Sequence, residues 1–74
     1  VLEKVGDLSQ TIQAYRHAIA LEPQWSAPYI DLGNILFKIG EFEQAESNYR
    51  KAIAIEPKNF ISYFNLGNLL SNQF

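Results

Sequence analysis

The sequence repeats itself at a fixed offset, position 16 falling on 50 and position 29 on 63, and that feature limits what the chain can fold into more than any other. The segment Arg16-His17-Ala18-Ile19-Ala20-Leu21-Glu22-Pro23 returns as Arg50-Lys51-Ala52-Ile53-Ala54-Ile55-Glu56-Pro57. Tyr29 to Asn34 returns as Tyr63 to Asn68. Overlaying residues 1–40 on 35–74 gives 16 identities in 40 positions, with Gly6 on Gly40, Tyr15 on Tyr49 and Leu36 on Leu70. A repeated unit this short cannot bury its apolar face alone, so neighbouring units must stack to share one core.

Within each period the apolar spacing is helical. From Tyr29 the apolar or small positions are 29, 30, 32, 33, 35, 36, 37 and 39, a face wide enough to be covered on more than one side. Phe42, Ala45, Tyr49, Ala52, Ile53 and Ile55 form the stripe of the following helix. Gly40 is suited to the left-handed backbone at a helix end. Pro23 and Pro57 disfavour helix at the residue before them, and Pro28 sits in a first turn, where its missing N–H costs nothing. Glu41 and Glu43 stand at the start of one helix and Arg50 and Lys51 towards its end, as the helix dipole prefers. The pattern predicts an all-α chain: the tail of a helix at 1–5, a turn at Gly6, then helices near 8–22, 26–39, 42–56 and 60–72. Connections of two to four residues require antiparallel hairpins. Gly33 and Ala45 are expected where the helices of one hairpin meet, and Ala18 and Ala52 where hairpins stack, because larger side chains would push the backbones apart.

A two-helix period of this length and these motifs resemble the tetratricopeptide repeat family, whose pattern runs aromatic-x2-Leu-Gly-x2-Tyr, then Ala-x3-Phe, then Pro. The central unit reads Tyr29-x2-Leu32-Gly33-x2-Leu36, Ala45-x3-Tyr49, Ala52 and Pro57, and the next begins Tyr63-x2-Leu66-Gly67-x2-Leu70. The first supplies only Thr11-x3-Tyr15, Ala18 and Pro23. Thr11 departs from the usual alanine, and Leu36 and Leu70 from the usual tyrosine. The resemblance implies antiparallel hairpins stacked as a right-handed α–α superhelix. It divides the chain into a partial repeat at 1–25, a complete repeat at 26–59 and the first helix of another at 60–74. Both ends then cut through hairpins, leaving apolar faces around Ile12, Tyr15 and Ile19 and around Ile61, Phe64, Leu66, Leu69, Leu70 and Phe74. The expected reading is a piece of a longer array; the alternative is a small protein that covers its ends by self-association.

Catalytic chemistry finds no footing in the sequence. There is no cysteine and a single histidine, His17, which matches Lys51 in the repeat and is expected on a solvent face. No acidic cluster accompanies it at a metal-ligand spacing. Glu41, Glu43 and Glu46 face different ways, and Gly33-Asn34 and Gly67-Asn68 lie inside helices, so neither makes a nucleotide-binding loop. No enzyme activity, metal or cofactor is expected. Six Lys and Arg against eight Asp and Glu give a net charge of -2, without the basic field of a nucleic-acid or anionic-membrane binder. The longest apolar runs are too short to span a bilayer. A cytoplasmic setting is the expectation from the lack of cysteine and of a leader segment. Trp25 is expected to pack at the junction between units or to stand out as an aromatic anchor.

By the resemblance, the first helix of each hairpin lines the concave side of the superhelix. That places Ala27, Ile30, Asp31, Asn34, Phe37 and Lys38 of the central unit there, and Ile61, Phe64, Asn65, Asn68, Ser71 and Asn72 of the next, with Glu3 and Lys4 from the first. Asp31 and Asn34, like Asn65 and Asn68, share one helical face, and an asparagine amide can grip a peptide backbone whatever its side chains. The basic clamp that some relatives use for a C-terminal carboxylate is missing. The function expected is a scaffold binding a protein or peptide in the groove. Gly33, Ala45, Tyr49, Ala52, Pro57 and Gly67 are its structural frame. The alternatives are a structural spacer, perhaps beside a transferase domain, or oligomerisation through the exposed helical ends.

Overall fold

The computed structural model describes residues 5–72, with side chains from Leu8 onward. They form four helices, α1 (Val5–Leu21), α2 (Ser26–Lys38), α3 (Phe42–Ile55) and α4 (Phe60–Asn72). The bounds of α2, α3 and α4 fall within one residue of the sequence expectation. The start of α1 does not. Its helix runs through Gly6 and Asp7, where the sequence predicts a turn. A glycine weakens a helix by only about 1 kcal/mol relative to alanine, and no helix among the described residues packs ahead of α1 to impose a turn there. The expected tail at Val1 to Lys4 and the apolar Phe74 lie outside the described residues.

The ends of α2 and α3 have identifiable causes. Gly40 adopts φ +87°. Its N–H donates to the Phe37 carbonyl at 3.1 Å, and the Glu41 N–H to the Leu36 carbonyl at 2.8 Å. This is the Schellman arrangement, which satisfies carbonyls that the helix end leaves open. α1 and α3 instead stop before Pro23 and Pro57, with the same closing bond at matching positions of the repeat: Glu22 N–H to the Ala18 carbonyl and Glu56 N–H to the Ala52 carbonyl. The dipole expectation for α3 holds only at its start. Glu43 is in the first turn, but no base is in the last. Arg50 pairs one turn back with Glu46 at 2.8 Å.

Contacts between α2 and α3 show an antiparallel hairpin at three levels. Near the connecting turn, the Phe37 and Phe42 rings lie 5.7 Å apart. Midway, the Tyr49 hydroxyl donates to Asn34 Oδ1 at 2.5 Å. At the far end, the Ser26 hydroxyl donates to Glu56 Oε1. α1 packs on α2, α3 packs on α4, and α2 touches α4 along a short stretch. Leu32, Leu36, Ala45, Tyr49, Leu66 and Leu69 form the buried core, flanked by Ile12, Tyr15 and Ile19. A smaller cluster of Tyr29, Ile30 and Ala52 closes the hairpin beside Ile19 and Ile55. This is an all-α fold whose packing is that of neighbouring helix hairpins.

Candidate functional site

The frame around the first helix of the central hairpin is set by Gly33. A Cβ at that position would lie 2.6 Å from Tyr49 Cε1, so the absence of a side chain lets the buried ring lie against the α2 backbone. From there the phenol reaches Asn34, half-buried on the next position of α2. Burial pushes the Tyr49 pKa up from 10.0 to about 12, so the hydroxyl stays a proton donor well above the physiological range. Asn34 Oδ1 is therefore engaged inside the molecule, leaving the amide N–H groups as what Asn34 offers outward. Gly67, the repeat counterpart, would have nothing within 4 Å of an added Cβ. Ala45 and Ala52 are fully buried, and Pro57 is exposed after α3.

A cavity of about 610 Å³ opens beside this frame. Ala27, Ile30, Asp31 and Asn34 from α2 and Ile61 from α4 line it, together with Gln24, Trp25 and Ser26 before and at the start of α2, Ile55 at the end of α3, and Glu56 and Asn59 between α3 and α4. Five residues placed on the inner face by sequence thus come together. The others do not line this cavity. Phe37 is half-buried against Phe42 and the core, so much of its ring is spent on packing. Lys38, Phe64, Asn68, Ser71 and Asn72 are exposed, and Asn65 is half-buried. The Asn72 amide donates to the Asn68 carbonyl at 2.8 Å, a bond within α4. Glu3 and Lys4 lie outside the described residues.

Sequence reasoning missed Glu56 and passed over Asn59. Glu56 Oε1 accepts from the Ser26 hydroxyl and, at 3.4 Å, from the Asn59 amide. These bonds, the Ser26 one first, hold its carboxyl below the usual carboxylate range. Asn59 Oδ1 also accepts the Ile61 N–H at 3.0 Å and so caps α4. The available signal was the Glu-Pro pair that recurs at 22–23 and 56–57. Trp25 is 54% exposed, which favours the outward-standing alternative over packing at the junction. It occupies the N-cap position of α2, where it makes no side-chain capping bond.

Among the described residues, no group of three or more His, Cys, Asp or Glu could hold a metal ion. His17 is exposed on α1, and no helix among the described residues is long and apolar enough to cross a membrane. A family model described as TPR repeat matches residues 33–73, more than half of the chain. No curated protein matches the sequence.

Proposed function

The chain belongs to the tetratricopeptide repeat family, and on that premise we propose that it is a non-catalytic scaffold that holds an extended peptide or protein segment along its first helices. The observation that carries this reading is the cavity that α2 and α4 build jointly with the turns beside them. The finer arrangement belongs to the same proposal: residues 26–59 are one complete repeat between partial repeats at 1–25 and 60–74, stacked as a right-handed superhelix. The approach of α2 to α4 supports curvature towards the first helices. The inner surface includes Ala27, Ile30, Asp31 and Asn34, and continues through Asn65 and Asn68 along α4.

A second reading rests on Phe60, Ile61, Tyr63 and Phe64, all exposed near the start of α4. An apolar surface of this kind suits contact between chains.

One experiment addresses both. The parent chain and a triple variant, Asp31→Ala, Asn65→Ala and Asn68→Ala, serve as baits for affinity capture from cell lysate, with bound proteins identified by mass spectrometry. Asn34 is kept because its amide holds Tyr49. Matching circular dichroism establishes that the variant is folded, and light scattering at several concentrations follows its mass. A specific protein held by the parent and lost by the variant is the expected result. Equal retention by both baits would refute the groove, and a mass that rises with concentration would favour the second reading.

A further inference from the structure

We propose that the cavity between α2 and the α3–α4 turn receives a basic side chain, arginine or lysine, of the bound peptide. This rests on the groove reading above and names the chemistry of its ligand. The cavity walls combine three things that a long cationic side chain needs. Ile30, Ile55 and Ile61 give apolar surface for its methylene stem. Trp25, more than half exposed at the rim, offers an indole face, the most favourable aromatic partner for a cation. Asp31 and Glu56 supply two carboxylates.

Those carboxylates are available. Asp31 is exposed and makes no hydrogen bond or ion pair among the described residues. Both donors to Glu56 converge on Oε1, which fixes the carboxylate and leaves Oε2 without a partner among the described residues. Among the described residues no Lys, Arg or His lines the cavity to neutralise them. Lys38 lies two turns further along α2, and Lys58 borders an adjoining hollow that shares Ile55, Glu56 and Asn59 with this one, but makes no ion pair with Glu56 among the described residues. The volume of about 610 Å³ falls in the range of roughly 300–1,000 Å³ usual for ligand sites. An acidic side chain or a peptide C-terminus would face two like charges there. A purely apolar one would desolvate both carboxylates without compensation.

The test uses the 74-residue chain and three pools of blocked nonapeptides with mixed flanking positions. The pools differ only at the centre: arginine, citrulline or glutamate. Citrulline keeps the shape of arginine and removes its charge. Trp25 is the only tryptophan, so its emission reports occupancy of this site directly. The arginine pool should bind and change that emission, with the citrulline pool about tenfold weaker, the worth of one charge-assisted contact. The glutamate pool should be weaker still. In the double variant Asp31→Asn and Glu56→Gln, with helical content matched by circular dichroism, the preference for arginine over citrulline should vanish while weak binding of both persists. Equal binding of arginine and citrulline by the parent chain overturns the basic-side-chain assignment and leaves the groove standing. So does a preference that survives the double variant. Binding of no pool overturns the groove reading together with it.

Discussion

Replacing Gly33 with alanine tests whether the Tyr49 ring sets the spacing of α2 and α3. The new Cβ would lie 2.6 Å from Tyr49 Cε1, 2.8 Å from Cδ1 and 3.1 Å from Cζ. Carbon atoms in contact settle at about 3.5–4.0 Å, so the ring must retreat by roughly 1 Å. It has little freedom to do so. Tyr49 is fully buried among Leu32, Leu36, Leu66 and Leu69, and its hydroxyl is tied to Asn34. Overpacking at the upper end of the usual range costs about 3 kcal/mol, against which alanine recovers about 1 kcal/mol of helix propensity, for a net loss of about 2 kcal/mol. Gly67→Ala is the internal control, made in the same Leu-Gly-Asn context. Nothing lies within 4 Å of its Cβ, so only the gain of about 1 kcal/mol remains. In a domain of this size a change of about 1 kcal/mol moves the melting temperature by roughly 4–8 °C, which puts the two variants on opposite sides of the parent and at least about 12 °C apart. Thermal melts followed by far-ultraviolet circular dichroism, with urea titrations alongside, read the difference. Adding Tyr49→Leu to Gly33→Ala should relieve part of the strain, since the two sites are coupled by contact. A Gly33→Ala protein that melts with or above the parent would refute the argument, because the ring would then be yielding at no cost.

Two further outcomes follow from single side chains. Tyr49→Phe should cost about 1 kcal/mol at neutral pH, from the bond lost to Asn34. Because the folded state raises this phenol from 10.0 to about 12, the folded chain holds the proton more tightly, so the tyrosine's advantage should shrink as pH rises from about 10 towards 12. Melting temperatures of parent and variant compared at pH 8 and pH 11 check this, and a gap that stays constant or widens would contradict it. Gly40→Ala should destabilise by about 1 kcal/mol, because a side chain is strained at positive φ, and Gly40→Asn by less. Urea unfolding that leaves Gly40→Ala level with the parent would count against the left-handed helix end.

The sequence by itself determined the number of described helices, the ends of α2 and α3, and the pairing of short-linked neighbours. These follow from information local to the chain: apolar spacing, a glycine at a helix end, prolines that stop α1 and α3, and connections too short for any other packing. The return of those signals at one fixed offset made the repeat legible. The start of α1 was not legible, because a lone glycine is a weak stop unless a packed neighbour enforces the turn. Nor could the sequence show how Asn34 is used. Its amide faces the phenol of Tyr49 on the following helix, and only the packing of α2 on α3, with Gly33 making room for the ring, brings the two together. Ser26 and Glu56, at the start of α2 and just past the end of α3, meet for the same reason at the other end of the hairpin, and Trp25 is left standing beside them. Which side chains share a cavity depends on the distance and rotation between packed helices, and those are fixed by side-chain volumes across the whole core rather than by any one segment.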